Sequence, residues 1–309
     1  MPYLLTHDES IPRGLRRIAR EEIDSAIAHL RVKEPAKRDE AIHEARKNIK
    51  KLRGLVRLLM PCLGKGGRRE NTALRDLGRT LSEVRDAAAL IETVDLLGKK
   101  YQEDAAITRL ASVRSAMVRR RNAARRQADA SATGEAGITA LRGLRRRLNS
   151  WEIGVDFALI APGLKATYKR GRQAMARASR HSGADSLHEL RKRVKDYWYQ
   201  VRLLEGIFEP DQSPENALKD LQEWLGDAHN LAVLREKAGA EFEGLTPLID
   251  EFEKELRHKS LAAAKELYAM KSRAHVGRLA ELWEKKRGGA ARKSAKNTEA
   301  RSAKATSAA

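Results

Sequence analysis

The chain says one thing twice. Residues 42–59 read IHEARKNIKKLRGLVRLL and residues 187–204 read LHELRKRVKDYWYQVRLL. The two stretches share His43/His188, Glu44/Glu189, Arg46/Arg191, Lys47/Lys192, Lys50/Lys195, Val56/Val201, Arg57/Arg202, Leu58/Leu203 and Leu59/Leu204. A second match follows in the same order, with one gap. Residues 74–90, LRDLGRTLSEVRDAAAL, align with residues 218–234, LKDLQEWLGDAHNLAVL, which pairs Arg85 with His229 and Asp86 with Asn230. Two matches in one order mark a duplicated unit, so the fold has to accommodate two copies of it.

The unit is helical. Apolar residues return at three- and four-residue steps along nearly the whole chain and no sustained β-type alternation interrupts them, which predicts an all-α protein. Breakers place helices at about residues 11–33, 37–60, 68–98 and 102–127 in the first half. The second half carries them at about 138–150, 164–180, 185–208, 215–240 and 248–285, with the Glu34-Pro35 pair, Pro61 to Gly67, Ala161-Pro162-Gly163, Glu209-Pro210 and Thr246-Pro247 as punctuation. Residues 128–137, ADASATGEAG, have no apolar period and read as a linker between a first half (1–127) and a second (138–285). Residues 286–309 are mostly Ala, Ser, Lys and Arg and read as a disordered basic tail.

On a helix each residue advances about 100°, so Arg46, Lys47, Lys50, Arg53 and Arg57 all fall within about 80° of His43. That is one cationic stripe. Ala45, Ile49, Leu52, Leu55, Val56 and Leu59 take the opposite side, ready to bury. His188, Arg191, Lys192, Lys195 and Arg202 repeat the stripe, while Trp198 and Tyr199 stand where Arg53 and Gly54 do. A solvated face normally alternates Glu with Lys at four-residue spacing, because opposite charges there attract and like charges repel. Here Glu44 and Asp196 lie at the stripes' edges, near 100° and 80° (about) on the same wheel. A like-charged stripe costs stability unless an anion neutralises it. Arg13, Arg16, Arg17 and Arg20 repeat the spacing on the first helix, and Lys169 and Arg172 hold a comparable place early in the second half.

Composition agrees. The formal charge is +20 and the pI about 10.2, so the partner is anionic. A single cysteine, Cys62, excludes a disulfide framework and a multi-thiolate metal site and fits the reducing cytoplasm. No run is long enough to span a membrane, and the first ten residues hold no signal-peptide core. Arg offers a planar fork for phosphate oxygens and Lys a mobile point charge, so rows of both suit a flexible chain of tetrahedral anions. A histidine among them resists protonation until a polyanion arrives. There is no phosphate loop of Walker spacing, no carboxylate pair at metal-ligand spacing in the stripes and no activated thiol; binding without turnover, without metal or cofactor, is the expectation.

The HxxRKxxK word at His43–Lys50, duplicated at His188–Lys195 and followed in each half by the L-x-x-L segment ending in Arg-Asp or His-Asn, resembles the CHAD family, conserved-histidine α-helical domains. The resemblance runs over about residues 8–285. It implies two pseudo-symmetric antiparallel helical bundles whose basic helices line a central groove or pore that binds inorganic polyphosphate. It also implies likeness to the stand-alone phosins, which locate to polyphosphate granules. The groove residues are then His43, Arg46, Lys47, Lys50, Arg53, Arg57 and Arg85 with His188, Arg191, Lys192, Lys195, Arg202 and His229, joined by Arg13, Arg17, Lys169 and Arg172. Other members are fused to triphosphate-hydrolysing domains; no such domain is read in these residues, so hydrolase activity is not expected from the resemblance. Two alternatives stay open: a nonspecific nucleic-acid binder, suggested by the pI and by a tail with eight Lys or Arg against two acids over residues 284–309, and an accessory subunit of triphosphate or polyphosphate metabolism with hydrolase activity.

Overall fold

A computed structural model of the chain describes residues 3–6, 9–102, 104–130, 133–154, 156–209, 213–238 and 244–286; for residues 35, 83–85, 104–107, 125, 127–130 and 133 it describes the backbone alone. The apolar period becomes α1 (Ile11–Leu30), α2 (Pro35–Leu58), α3 (Met60–Thr80), α4 (Ser82–Lys100), α5 (Asp104–Ala130), α6 (Thr133–Arg147), α7 (Phe157–Arg180), α8 (Ala184–Leu203), α9 (Glu215–Ala238) and α10 (Thr246–Leu267). A last helix, α11, covers residues 272–286. There is no strand among the described residues, and none of their helices is long and apolar enough to cross a membrane. The basic tail beyond residue 286 lies outside the described residues.

The apolar side of the first stripe helix is where its pattern put it. Ala45, Ile49, Leu52, Leu55, Val56 and Leu59 are all fully buried, each aliphatic side chain stabilising by about 1.5–3 kcal/mol. They form one core with α1, the end of α3, α6, the start of α7, Leu203, Leu204 and Ile207, and Val276, Leu279 and Trp283 of α11. A second core joins α4 and α5 to α9 and α10. A third joins α7, α8, α9 and α10. The two copies in the sequence therefore share their cores: the α4–α5 hairpin of the first buries its apolar face against α9 and α10 of the second.

Several breaks fall elsewhere than expected. The stretch 128–137 is entered by the end of α5 and holds the start of α6. A Cβ on Gly137 would come within 2.9 Å of Leu77 and 3.2 Å of Leu30, so small residues there permit close helix packing. The segment Pro61 to Gly67 is helical apart from Gly64, at φ 51° and ψ −122°. Pro61 sits in the first turn, where its missing N–H costs nothing. Pro162 lies inside α7 and does not end it. Its neighbour Gly163 lets the Leu58 carbonyl approach so closely that any Cβ would collide with backbone.

Two expected single helices are broken. The stretch 68–98 divides at Leu81 into α3 and α4. The Gly78 carbonyl, which Ser82 N–H would use in a continuous helix, accepts a hydrogen bond from the Arg46 guanidinium. Thr80 Oγ1 also folds back to donate to the Leu77 carbonyl at 2.9 Å, a local competitor of the helix ladder. The matching segment of the second copy runs unbroken through α9. The stretch 248–285 divides at Tyr268: Tyr168 Oη donates to the Leu267 carbonyl at 2.9 Å and Arg172 Nε to the Tyr268 carbonyl at 3.1 Å. These donors satisfy carbonyls that a continued helix would have used.

Candidate polyanion-binding site

The two stripe helices meet at equivalent positions of the repeat. A Cβ on Gly54 of α2 would stand 2.8 Å from the Cβ of Tyr199 on α8. Only glycine allows that approach, and it brings the two stripes onto one cleft. One cavity of about 200 Å³ is lined by Lys50, Arg53 and Arg57 from α2 and by Arg191, Lys192, Arg193, Lys195, Asp196 and Tyr199 from α8. A second, of about 380 Å³, is lined by Arg46, Ile49, Lys50 and Arg53, by Arg75, Gly78 and Arg79 of α3, by Ser82 and by Lys192. Lys50, Arg53 and Lys192 belong to both, so the cavities form one cationic track.

Crowding shows in the proton affinities. Burial pushes the Lys50 ammonium well below its ordinary pKa, and Lys195, Arg46 and Arg191 push the same way against Asp86. Burial and then Arg57 lower Arg53 to about 10. Burial also lowers Arg191, opposed by Asp86 and Asp227. The Nε atoms of Arg53 and Arg191 are buried without a hydrogen-bond partner. Cations held this way are what an anion in the track would stabilise most, since desolvated unlike charges attract more strongly than solvated ones.

The histidines divide. His188 and His229 pack ring against ring, centroids 4.2 Å apart and planes tilted by 34°. They line a separate cavity of about 240 Å³ between α8, α9 and α10, with Ser182, Asp250, Glu253, Lys254 and Arg257 on its wall. Burial, then Lys192 and Arg191, lower the His188 pKa. Burial, then Arg191, takes His229 down to about 4. Arg191 thus lines the track and also acts electrostatically on both histidines. His43 is half-buried on α2 and lines none of these three cavities.

Other expected groove residues are placed away from the track. Lys47 pairs with Glu44 at 2.7 Å, and Lys192 pairs with Glu189 at 2.6 Å in the same helical spacing; of these two lysines only Lys192 lines the track. Arg202 pairs with Glu215 at 3.2 Å and lies 5.0 Å over the Trp198 ring. Arg17 is held by Glu9 and Glu21, and Arg172 by the Tyr268 carbonyl. Arg13 and Lys169 are exposed and line none of these cavities. The Arg85 side chain lies outside the described residues. Arg75, Arg79, Arg193, Asp196 and Tyr199 are lining residues that the stripe pattern did not single out. Arg75 and Arg79 stood in the second matched segment, four residues apart; Arg193 lies about 140° round the wheel from His188 and reaches the cleft from the side.

A sequence model of the CHAD domain matches residues 21–239. The chain belongs to the CHAD family. The family is linked in general to polyphosphate binding. No curated protein matches the chain in sequence. Among solved structures it is similar to the CHAD domain from the plant Ricinus communis, with a TM-score of 0.54 and 19% identity, covering 89% of this chain and 93% of that one. At that identity the likeness carries the fold alone. Both histidine words of this CHAD chain lie within the matched residues, whereas α10 and α11 lie beyond them and still complete its cores.

Proposed function

We propose that this CHAD chain binds inorganic polyphosphate along the cleft between α2 and α8. The observation that carries the reading is the convergence of both duplicated stripes on one continuous track through Lys50, Arg53 and Lys192. Arg46, Arg75 and Arg79 extend the track on one side and Arg191 and Lys195 on the other. Forked guanidinium groups fix phosphate oxygens bidentately and the lysines follow a flexible chain as point charges. A polymer of tetrahedral anions needs no base-stacking platform, and among the described residues Tyr199 is the one aromatic in the lining; this disfavours nucleic acid as the partner. The binding is equilibrium holding without turnover, and residence on polyphosphate granules in the cytoplasm follows from it.

Changing Lys50 and Lys192 together to Glu should weaken retention of long-chain polyphosphate in a gel shift at least about 100-fold. Charge-assisted contacts contribute about 1.5–3 kcal/mol each, and the reversal adds repulsion. Undiminished binding by a double variant with native circular dichroism sinks the assignment. Duplex DNA that displaces polyphosphate at equal phosphate concentration decides for the nucleic-acid reading. Orthophosphate released from polyphosphate by the native chain decides for the hydrolase.

A further inference from the structure

Among the described residues the lining of the smaller cavity contains one acid, Asp196. It is 8% exposed, ion-pairs with Arg57 and stands 3.5 Å from Arg193. It also acts electrostatically on Arg53 and on Arg170 of α7. Its counterpart in the first copy is Lys51, which turns away to pair with Glu22 of α1 at 2.8 Å. The swap of sign at this one position makes the cleft unequal. A symmetric contact would have set Arg202 against Lys51, like against like; instead Arg202 turns to Glu215 and only the Arg57–Asp196 side faces the cavity.

The other end of the track differs. Among the described residues no acid lines the larger cavity, and the acids paired at its margin, Asp76 beside Arg75 and Asp86 beside Arg46, have side chains 53% and 64% exposed against 12% for Asp196. A buried carboxylate accepts the same guanidinium donors that a phosphate oxygen would. We propose that Asp196 is a built-in competitor of the phosphate chain: it occupies the Arg57 end of the cleft, ends the track there and turns the polymer toward Arg75 and Arg79. This rests on the polyphosphate reading. Arg57 and Arg193 are then structural partners of an internal anion, and the chain's affinity is set below what its cations alone would give.

The test compares the native chain with Asp196→Asn for polyphosphate binding by titration at several salt concentrations. One fewer negative charge in the cleft should tighten binding about three- to tenfold at low salt. It should also steepen the plot of log K against log salt by about 0.7–0.9, as a freed cation takes up a phosphate. Binding that is unchanged or weaker in a folded Asp196→Asn overturns the proposal. Should that variant fail to fold, D196N/R57Q removes the pair as a unit and leaves the net charge of the cleft as it was. It should lose clearly less affinity than Lys50→Gln, because it removes a cation whose charge the carboxylate already cancels. A loss as large as that of Lys50→Gln would show that Arg57 itself holds a phosphate, and would overturn the proposal. A native chain that binds no polyphosphate defeats the parent reading instead, which the native control shows before any variant is compared.

Discussion

His275 shows how burial decides what a histidine does. Its ring stacks on Tyr168 with centroids 4.0 Å apart and planes 12° from parallel, and its Nε2 shares a 2.7 Å hydrogen bond with the Tyr197 hydroxyl. Burial, with Arg278 adding to it, lowers its pKa to about 4, against about 6.5 in the unfolded chain. Below pH 6.5 the unfolded chain therefore binds a proton that the native chain refuses. Stability present above that pH is lost as pH falls toward 4 and levels off below it. The share belonging to His275 is on the order of 2–3 kcal/mol. His275→Gln should lower stability at pH 7 and flatten the fall between pH 7 and 4 relative to the native chain, read from urea midpoints across that range. Equal slopes would mean that His275 titrates normally in the fold. Repetition drew attention to His43 and His188, and nothing comparable marks His275, which lies in neither word. The meeting of His188 with His229 was equally hidden, because it depends on how α8 packs on α9.

Helices were legible because apolar spacing is local; their interruptions were not, because side chains from other elements make them. Leu81 carries no breaker residue, yet the helix stops where Arg46 arrives from α2 to take the Gly78 carbonyl. Conversely Pro162-Gly163 looks like a stop and is a helix–helix contact, with Gly163 facing the Leu58 carbonyl. The two kinds of glycine can be told apart by experiment. Gly163→Ala places a methyl group against immovable backbone and should destabilise by about 2–4 kcal/mol. A Cβ on Gly66 of α3 meets nothing within 4 Å, and its φ is negative, so Gly66→Ala should stabilise by up to about 1 kcal/mol through helix propensity. Denaturant unfolding of both variants checks the contrast, and comparable effects would refute the contact at Gly163.

At the scale of the whole chain, the sequence placed two cationic stripes but could not say whether they face each other, since their angle depends on the α2–α8 approach at Gly54 and Tyr199. That approach separates a placed charge from a diffuse one, and the two respond differently to polymer length. Among the described residues six cations line the larger cavity: Arg46, Lys50, Arg53, Arg75, Arg79 and Lys192. If a polyphosphate chain engages them together, counterion release gives a slope of log K against log salt of about −4 to −5. Once the polymer spans the track that slope stops changing. Longer chains then gain affinity only through the number of registers in which a segment can enter the cleft. A generally adhesive +20 surface would instead keep recruiting phosphates, and its slope would steepen with every increase in length. Titrations of the native chain with polyphosphates of graded length should therefore show a slope that reaches a plateau while affinity per molecule continues to rise; a slope that grows without limit would mean that the cleft is not where the polymer is held.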